Sequence, residues 1–167
     1  MSMGDAKRKA GFRESESGSK PDNKRKDSGR KNETEEVTTR SIIVFRDNGK
    51  LRKELLTSEA KDWADALQQV SSTQLRNFYN EVKTLQSRIE AANSLGENGF
   101  DRHEALIGLL KAKAAYAVAR SESSRRNAYE CLQDMICQCV DLSNTPEAFE
   151  HFCIFFEAVL GFHKGRR

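Results

Sequence analysis

Apolar and polar residues alternate with a helical period over most of this chain. Over residues 73–93 the apolar positions recur every three or four residues, as on the buried face of an amphipathic helix. These positions are Leu75, Phe78, Tyr79, Val82, Leu85 and Ile89. The same kind of pattern predicts four further helices, over residues 58–70, 102–120, 125–142 and 146–163.

Start signals support two of these helices. Ser58 is a candidate N-cap for the first, and Thr145 places a capping hydroxyl before Pro146, which suits the first position of the last helix. The last helix is apolar nearly all the way round, which indicates that it is either central to the core or shared with another subunit.

One segment has the character of a strand. Residues 41–45 are rich in β-branched side chains, and residues 47–49 form a turn signal. No second strand pattern is available to pair with this segment, so we expect an isolated strand or an extended piece packed on helices. The predicted fold class is all-α, a compact five-helix bundle.

Composition divides the chain into two parts. Through Lys31 there are ten basic residues against five acidic ones, and Phe12 is the main large apolar side chain. Such a segment cannot bury enough apolar surface to offset its ordering entropy. We therefore predict a disordered basic tail over residues 1–40 and a helical domain over residues 41–167.

The third predicted helix carries cations inside an apolar arc. At roughly 100° per residue, Arg102, Lys113 and Arg120 project into one arc with apolar neighbours. Those neighbours are Leu106, Leu109, Leu110, Tyr116 and Ala117. Because an unpaired buried charge is costly, such cations need acidic partners or an external anion.

Basic residues at helical spacing suggest contacts with a nucleic-acid backbone. Arg76 and Lys83 are seven residues apart on the second helix, as are Lys113 and Arg120 on the third. The candidate RNA-binding residues are Arg76, Lys83, Lys111, Lys113, Arg120, Arg125 and Arg126. Such residues would contact phosphates and read little sequence.

Two alternatives to this interpretation stay open. Lys113 and Arg120 are equally able to pair with Glu130, Asp134 or Glu157 on neighbouring helices, or to extend past the apolar arc into water. Tyr79 and Tyr116 are capable of stacking on bases. At apolar positions of a helix, however, a tyrosine is more often part of the core.

No constellation for catalysis or metal binding is recognisable. The three histidines, His103, His151 and His163, form no paired motif, and there is neither a phosphate-binding glycine loop nor a nucleophile elbow. Four cysteines without a CxxC pair are expected to be free packing thiols in a reducing cytoplasm. No apolar run is long enough to span a bilayer. We expect a non-enzyme without metal, cofactor or membrane contact.

Three sequence blocks resemble a known family. They are STQLRNFYNEV over residues 72–82, LLKAKAAYAVAR over residues 109–120 and the closing block over residues 152–164, which ends in FFEAVLGFHK. All three are similar to the small subunit of type III-A CRISPR–Cas (Csm) effector complexes. The similarity covers roughly residues 51–164, and the three blocks occur in the right order. The tail and residues 42–45 lie outside it.

The resemblance implies a five-helix subunit without an active site. Members of that family line the inner filament of an antiviral ribonucleoprotein, beside backbone subunits that carry the guide RNA. The implied partners are guide RNA, target RNA, other Csm subunits and neighbouring copies of the same chain. Arg76, Lys83, Lys113 and Arg120 become candidates for phosphate contact. The alternative function is a helical homo-oligomerisation module whose cations are paired internally.

Overall fold

The structure is a computed structural model that describes residues 45–164, with side chains through His163. The predicted tail over residues 1–40 and most of the predicted strand over residues 41–45 lie outside this range.

The described part of the chain opens with a short β-hairpin. Strand β1 (Arg46–Asp47) pairs antiparallel with β2 (Lys50–Leu51), with Arg46 opposite Leu51. Asn48 and Gly49 join them with φ values of 49° and 76°, as two-residue hairpins require. The turn prediction was correct. The observed hairpin uses residues 46–47 and 50–51, whereas most of the strand predicted over residues 41–45 lies outside the described residues. Strands of two residues are too short to show an alternating pattern.

Five α-helices follow within the described residues, and this confirms the all-α fold class. They are α1 (Ala60–Ala66), α2 (Ser72–Ser94), α3 (Gly99–Ala119), α4 (Arg126–Leu142) and α5 (Pro146–Lys164). A π-helical turn (Leu55–Glu59) leads into α1, and a 3₁₀ turn (Ser123–Arg125) leads into α4.

Capping side chains mark three helix starts. Ser71 Oγ accepts a hydrogen bond from the Gln74 amide at 3.1 Å, and Thr145 Oγ1 accepts one from the Ala148 amide at 3.2 Å. Asn98 caps α3 in the same way. The prediction for Thr145 is confirmed, but Ser58 lies inside the π-helical turn, where its hydroxyl donates to the Glu54 carbonyl oxygen at 3.3 Å.

Helix α5 is the centre of the core. Its side chains Phe152, Phe155 and Phe156 are fully buried, and the helix packs against α1, α2 and α4. The rings of Phe152 and Phe156 stack with centroids 6.0 Å apart. Most of the apolar surface of α5 is therefore used within the chain itself, whereas Ile154 and Phe162 stay partly exposed.

Helices α2 and α3 form an antiparallel hairpin with a very close approach at its closed end. A Cβ placed on Gly99 would lie 2.3 Å from the Ile89 carbonyl oxygen, and the Gly99 amide donates to Asn93 Oδ1 at 2.9 Å. Only glycine allows this approach. It sets how closely α3 lies against α2, and hence the width of the groove between them.

Two glycine substitutions in α3 test this constraint. We expect Gly99→Ala to lower the free energy of unfolding by about 1–3 kcal/mol, as for overpacked sites. A Cβ placed on Gly108, by contrast, would meet no heavy atom within 4 Å. Gly108→Ala is therefore the matched control and should stabilise the fold by about 0.5–1 kcal/mol, since it only removes helix-interior glycine entropy. Urea unfolding measures the free energy of unfolding of both variants. If the two substitutions changed it equally, the close approach at Gly99 would be contradicted.

Candidate nucleic-acid interface

The buried face of α3 differs from the arc identified in the sequence. Phe100, Ile107, Leu110 and Ala114 face the core. By contrast Leu106, Leu109 and Tyr116 are 38%, 47% and 62% exposed. The apolar arc is thus mostly solvent-exposed and lies roughly a third of a turn from the buried face. Arg102, Lys113 and Arg120 are exposed, because α3 packs mainly on α2 and α4 and leaves this flank uncovered.

This uncovered flank of α3 and the adjacent flank of α2 enclose a groove. Its first part is a cavity of about 660 Å³ near the N-terminus of α2. It is lined by Gln74, Asn77, Phe78, Glu81, Ala112, Lys113, Tyr116, Ala117, Arg120, Ser121 and Tyr129. A second cavity of about 320 Å³ continues toward the closed end of the hairpin. It is lined by Glu81, Thr84, Leu85, Arg88, Leu106, Leu109, Leu110 and Lys113.

We call the two cavities together the α2–α3 groove. Glu81 and Lys113 line both parts and therefore mark its middle. From Leu106 to Arg120 the groove runs along roughly 20 Å of α3, at 1.5 Å per residue.

Lys113 crosses the groove to an acid on the other helix. Its Nζ donates a hydrogen bond to Glu81 Oε2, and the two side chains are 46% and 41% exposed. The acids named as alternative partners, Glu130, Asp134 and Glu157, do not take this role. Exposed pairs of this kind contribute only about 0–1 kcal/mol and weaken with salt.

Arg120 lies at the open end of the groove against an aromatic ring. Its guanidinium carbon is 5.5 Å from the Tyr116 ring centroid, and Nη1 donates to the Tyr116 hydroxyl at 3.2 Å. Among the described residues no carboxylate lies within ion-pair distance of Arg120. Lys113 and Arg120 are the two predicted site residues that the fold brings into one groove.

Arg76 and Lys83 lie on a different surface. Residues two positions apart on a helix are separated by about 160°, so Arg76 and Lys83 project away from Gln74 and Glu81, which line the groove. Lys83 Nζ donates to Gln86 Oε1 at 2.6 Å and is half-buried. This flank of α2 faces α5, where Tyr79 packs edge-on against Phe156 at 6.0 Å between centroids.

The remaining predicted residues are dispersed. Lys111 pairs with Asp141 of α4 on the opposite flank of α3 from Lys113. Arg125 lies beside a polar cavity of about 990 Å³ at the N-terminus of α2, with its Nε 3.8 Å from Glu122 Oε2. Arg126 is exposed at the start of α4. The seven candidates therefore form no single site.

Sequence reasoning missed several polar residues of the groove and misjudged one aromatic residue. Gln74, Asn77 and Arg88 line it on the α2 side, and Tyr116 was assigned to the core. The sequence did contain a signal for the α2 wall of the groove. Successive residues in the series Gln74, Glu81 and Arg88 are seven positions apart, the same spacing as between Arg76 and Lys83. The spacing by itself does not show which flank of α2 lies beside α3.

The thiols and histidines occupy separate structural positions. All four cysteines are free, and burial raises the pKa of the Cys153 thiol to about 12. His103 Nδ1 contacts the Gly99 carbonyl oxygen at 2.8 Å, whereas His163 Nε2 lies 3.1 Å from the Leu67 carbonyl oxygen. Within residues 45–163 no three potential ligands cluster to hold a metal ion. No helix in the described range is both long and apolar enough to cross a bilayer.

Comparison with protein families decides the relationship. The family model described as Csm2 Type III-A matches residues 50–166, which is well over half of the 167 residues. The chain belongs to the Csm2 Type III-A family. The resemblance inferred from the three sequence blocks is thereby confirmed, and the matched range contains both walls of the groove.

Membership makes the chain a subunit of the type III-A CRISPR Csm complex, with other Csm subunits as its partners. Csm2 proteins are a structural subunit family of that complex. The comparisons with curated proteins and with solved structures returned no match.

A double-mutant cycle on Glu81 and Lys113 measures how strongly the groove walls are joined. We expect Glu81→Ala, Lys113→Ala and the double variant to yield a coupling of at most about 1 kcal/mol that falls as salt is added, because the pair is exposed. Urea unfolding at two salt concentrations gives the values. A coupling of several kcal/mol, unaffected by salt, would show that the pair is structural and that Lys113 is not free to bind a ligand.

Proposed function

We propose that this Csm2-family chain is a non-catalytic RNA-binding structural subunit that lines the inner filament of the complex and contacts the guide–target RNA duplex through phosphates in antiviral defence. The observation that carries the proposal is the α2–α3 groove, with Arg120 unpaired by any acid in the described range. Guide RNA, target RNA, neighbouring copies and a cytoplasmic location are parts of the same proposal.

The spacing of cations along the groove suits a sugar-phosphate backbone. Lys113 and Arg120 are seven residues apart on one flank of α3, or roughly 10 Å along the helix. Arg88 adds a third cation from the α2 wall at the other end. Because arginine and lysine side chains contact phosphates without reading bases, this arrangement supports binding that is independent of sequence.

The Glu81–Lys113 pair is compatible with phosphate binding. Both side chains keep more than a third of their surface in water, so desolvation adds little to the cost of separating them. A phosphate arriving beside Lys113 replaces a carboxylate with another anion, so the charge of the lysine stays compensated. Glu81 then acts as a competitor that weakens RNA binding.

The alternative, a homo-oligomerisation module with internally paired cations, has lost part of its motivation. It rested on the aromatic surplus of α5, yet Phe152, Phe155 and Phe156 are fully buried within the monomer. Phe162, at 38% exposure, is the exception among these four. Three candidate cations, Lys111, Lys113 and Arg125, do have acidic partners. Sedimentation with and without RNA separates the two functions, since the alternative requires a stable oligomer whose mass is unaffected by RNA.

Neutralising the two groove cations should reduce the salt dependence of RNA binding. For Lys113→Ala/Arg120→Ala we expect the slope of log affinity against log salt to fall by roughly 1.4–1.8, since each phosphate contact contributes about 0.7–0.9. Fluorescence anisotropy with a short RNA duplex measures the slope. Both side chains are exposed, so Tm should change little.

The matched control is Lys53→Ala/Lys61→Ala, which removes the same charge from exposed positions outside the groove. We expect its slope to stay near that of the unmodified chain. If both double variants lower the slope equally, RNA responds to net charge and the groove is not the binding surface. Early melting of the groove variant would make its cations structural.

Removing the competing carboxylate should strengthen binding. We expect Glu81→Gln to raise RNA affinity roughly two- to fivefold at low salt, which corresponds to the energy of one exposed ion pair. Glu104→Gln, on the opposite flank of α3, is the control for the loss of one negative charge. Unchanged or weaker binding by Glu81→Gln relative to this control would place Lys113 outside the RNA contact.

A further inference from the structure

Tyr116 is the most exposed aromatic side chain of the described residues, at 62%. The two other tyrosines have structural partners. Burial, followed by a hydrogen bond to Glu157, raises the pKa of the Tyr79 hydroxyl, and Tyr129 packs partly against the core. Within residues 45–163 no other ring contacts Tyr116. Its position is therefore not explained by packing.

The groove surrounds Tyr116 with groups of complementary chemistry. Gln74 and Asn77 present carboxamides from the α2 wall, while Lys113 and Arg120 supply positive charge on either side. The Arg120 guanidinium lies over the ring and donates to its hydroxyl. The cavity, about 660 Å³, is in the range of small-ligand pockets.

We propose that this part of the groove binds one unpaired RNA nucleotide, with its base stacked on the Tyr116 ring and its phosphate beside Lys113 or Arg120. The inference rests on the proposed RNA-binding function and adds a base contact to it. The carboxamides of Gln74 and Asn77 both donate and accept hydrogen bonds, so they match the polar edges of any base.

The reason for an unpaired nucleotide is geometric. In an A-form duplex the base faces are covered by their neighbours, and a protein reaches phosphates and 2′-hydroxyls instead. An aromatic ring adds nothing to a surface that reads only phosphates, whereas it is the usual platform for a base that has left the helix.

Charge favours RNA over a peptide as the occupant. Lys113 and Arg120 face a single carboxylate, Glu81, which already pairs with Lys113. The net charge of the groove is therefore positive at the Tyr116 end. Occupation of this cavity by a protein segment is one of the outcomes that the experiment distinguishes.

The experiment compares two RNA probes on the full chain. One is a single-stranded 12-nucleotide oligoadenylate and the other is a 12-base-pair RNA duplex, both followed by anisotropy. We expect Tyr116→Leu to weaken the single-strand complex roughly 5- to 150-fold, as for loss of one base stack, and to change duplex affinity less than twofold. Tyr116→Phe retains the ring and should keep both affinities.

Two further measurements separate stacking from structure. A 2-aminopurine base placed in the single strand should lose fluorescence on binding the unmodified chain and keep it with Tyr116→Leu. Phe162→Leu, at an exposed position on α5 outside the groove, is the matched aromatic control and should bind both probes normally. Thermal melting of each variant verifies the fold.

The outcomes distinguish the two proposals. If both RNAs bind with the salt slope set by Lys113 and Arg120 but Tyr116→Leu is without effect on the single strand, the stacking site is wrong and the phosphate surface stands. Equal weakening of both probes also overturns stacking. If neither RNA binds in a salt-dependent way, both proposals fail. Normal RNA binding by Tyr116→Leu, combined with loss of co-purifying Csm subunits, would assign the cavity to a protein partner.

Discussion

Burial of the α5 phenylalanines is the constraint on which the rest of the fold depends. Phe152, Phe155 and Phe156 leave no surface exposed and require partners on three sides, which α1, α2 and α4 provide. Because these positions are taken, α3 rests mainly on α2 and α4 and has one flank left over. The groove is a consequence of this order of packing. It is formed by the surface of α2 and α3 that stays uncovered once α1, α2 and α4 have packed around α5.

The groove is held together by interactions that are individually weak. The Glu81–Lys113 pair is exposed at both ends, and Arg120 contacts a neutral ring and hydroxyl rather than a carboxylate. A stronger, buried network would make the cations inaccessible, since breaking it leaves an uncompensated charge. The two helices are held together instead by the close approach of Gly99 to the Ile89 carbonyl oxygen and by the buried side chains of α2 and α3. The polar side chains that line the groove are therefore free to exchange partners, while the buried side chains beneath them keep α2 and α3 in place. Such a groove suits a ligand that carries regularly spaced charges.

Five of the seven candidate basic residues divide among three surfaces, and this division constrains the RNA contact proposed above. Lys113 and Arg120 belong to the α2–α3 groove, Arg76 and Lys83 to the flank of α2 that faces α5, and Lys111 to the α3–α4 side, where Asp141 pairs with it. One straight backbone following the groove cannot meet all of them.

The sequence alone was sufficient to predict the helices and to identify the family. Helical periodicity located α2, α4 and α5 to within a few residues, because an amphipathic pattern directly reflects one buried face. The residue types alone also identified Thr145 as a helix cap and residues 47–49 as a turn, since caps and turns are local features. Three ordered blocks of residues were sufficient for membership in the Csm2 Type III-A family.

Only the tertiary structure decided which face of each helix is buried and which polar groups meet. On α3, apolar side chains occupy more of the circumference than the core can cover, so periodicity could not tell the buried Ile107 from the exposed Leu109 and Tyr116. The partner of Lys113 proved to be Glu81, which depends on the antiparallel pairing of α2 with α3 at a distance set by Gly99. A one-dimensional pattern records the spacing along each helix. The rotation of one helix against its neighbour is determined by packing of the whole core, and the groove exists only through that rotation.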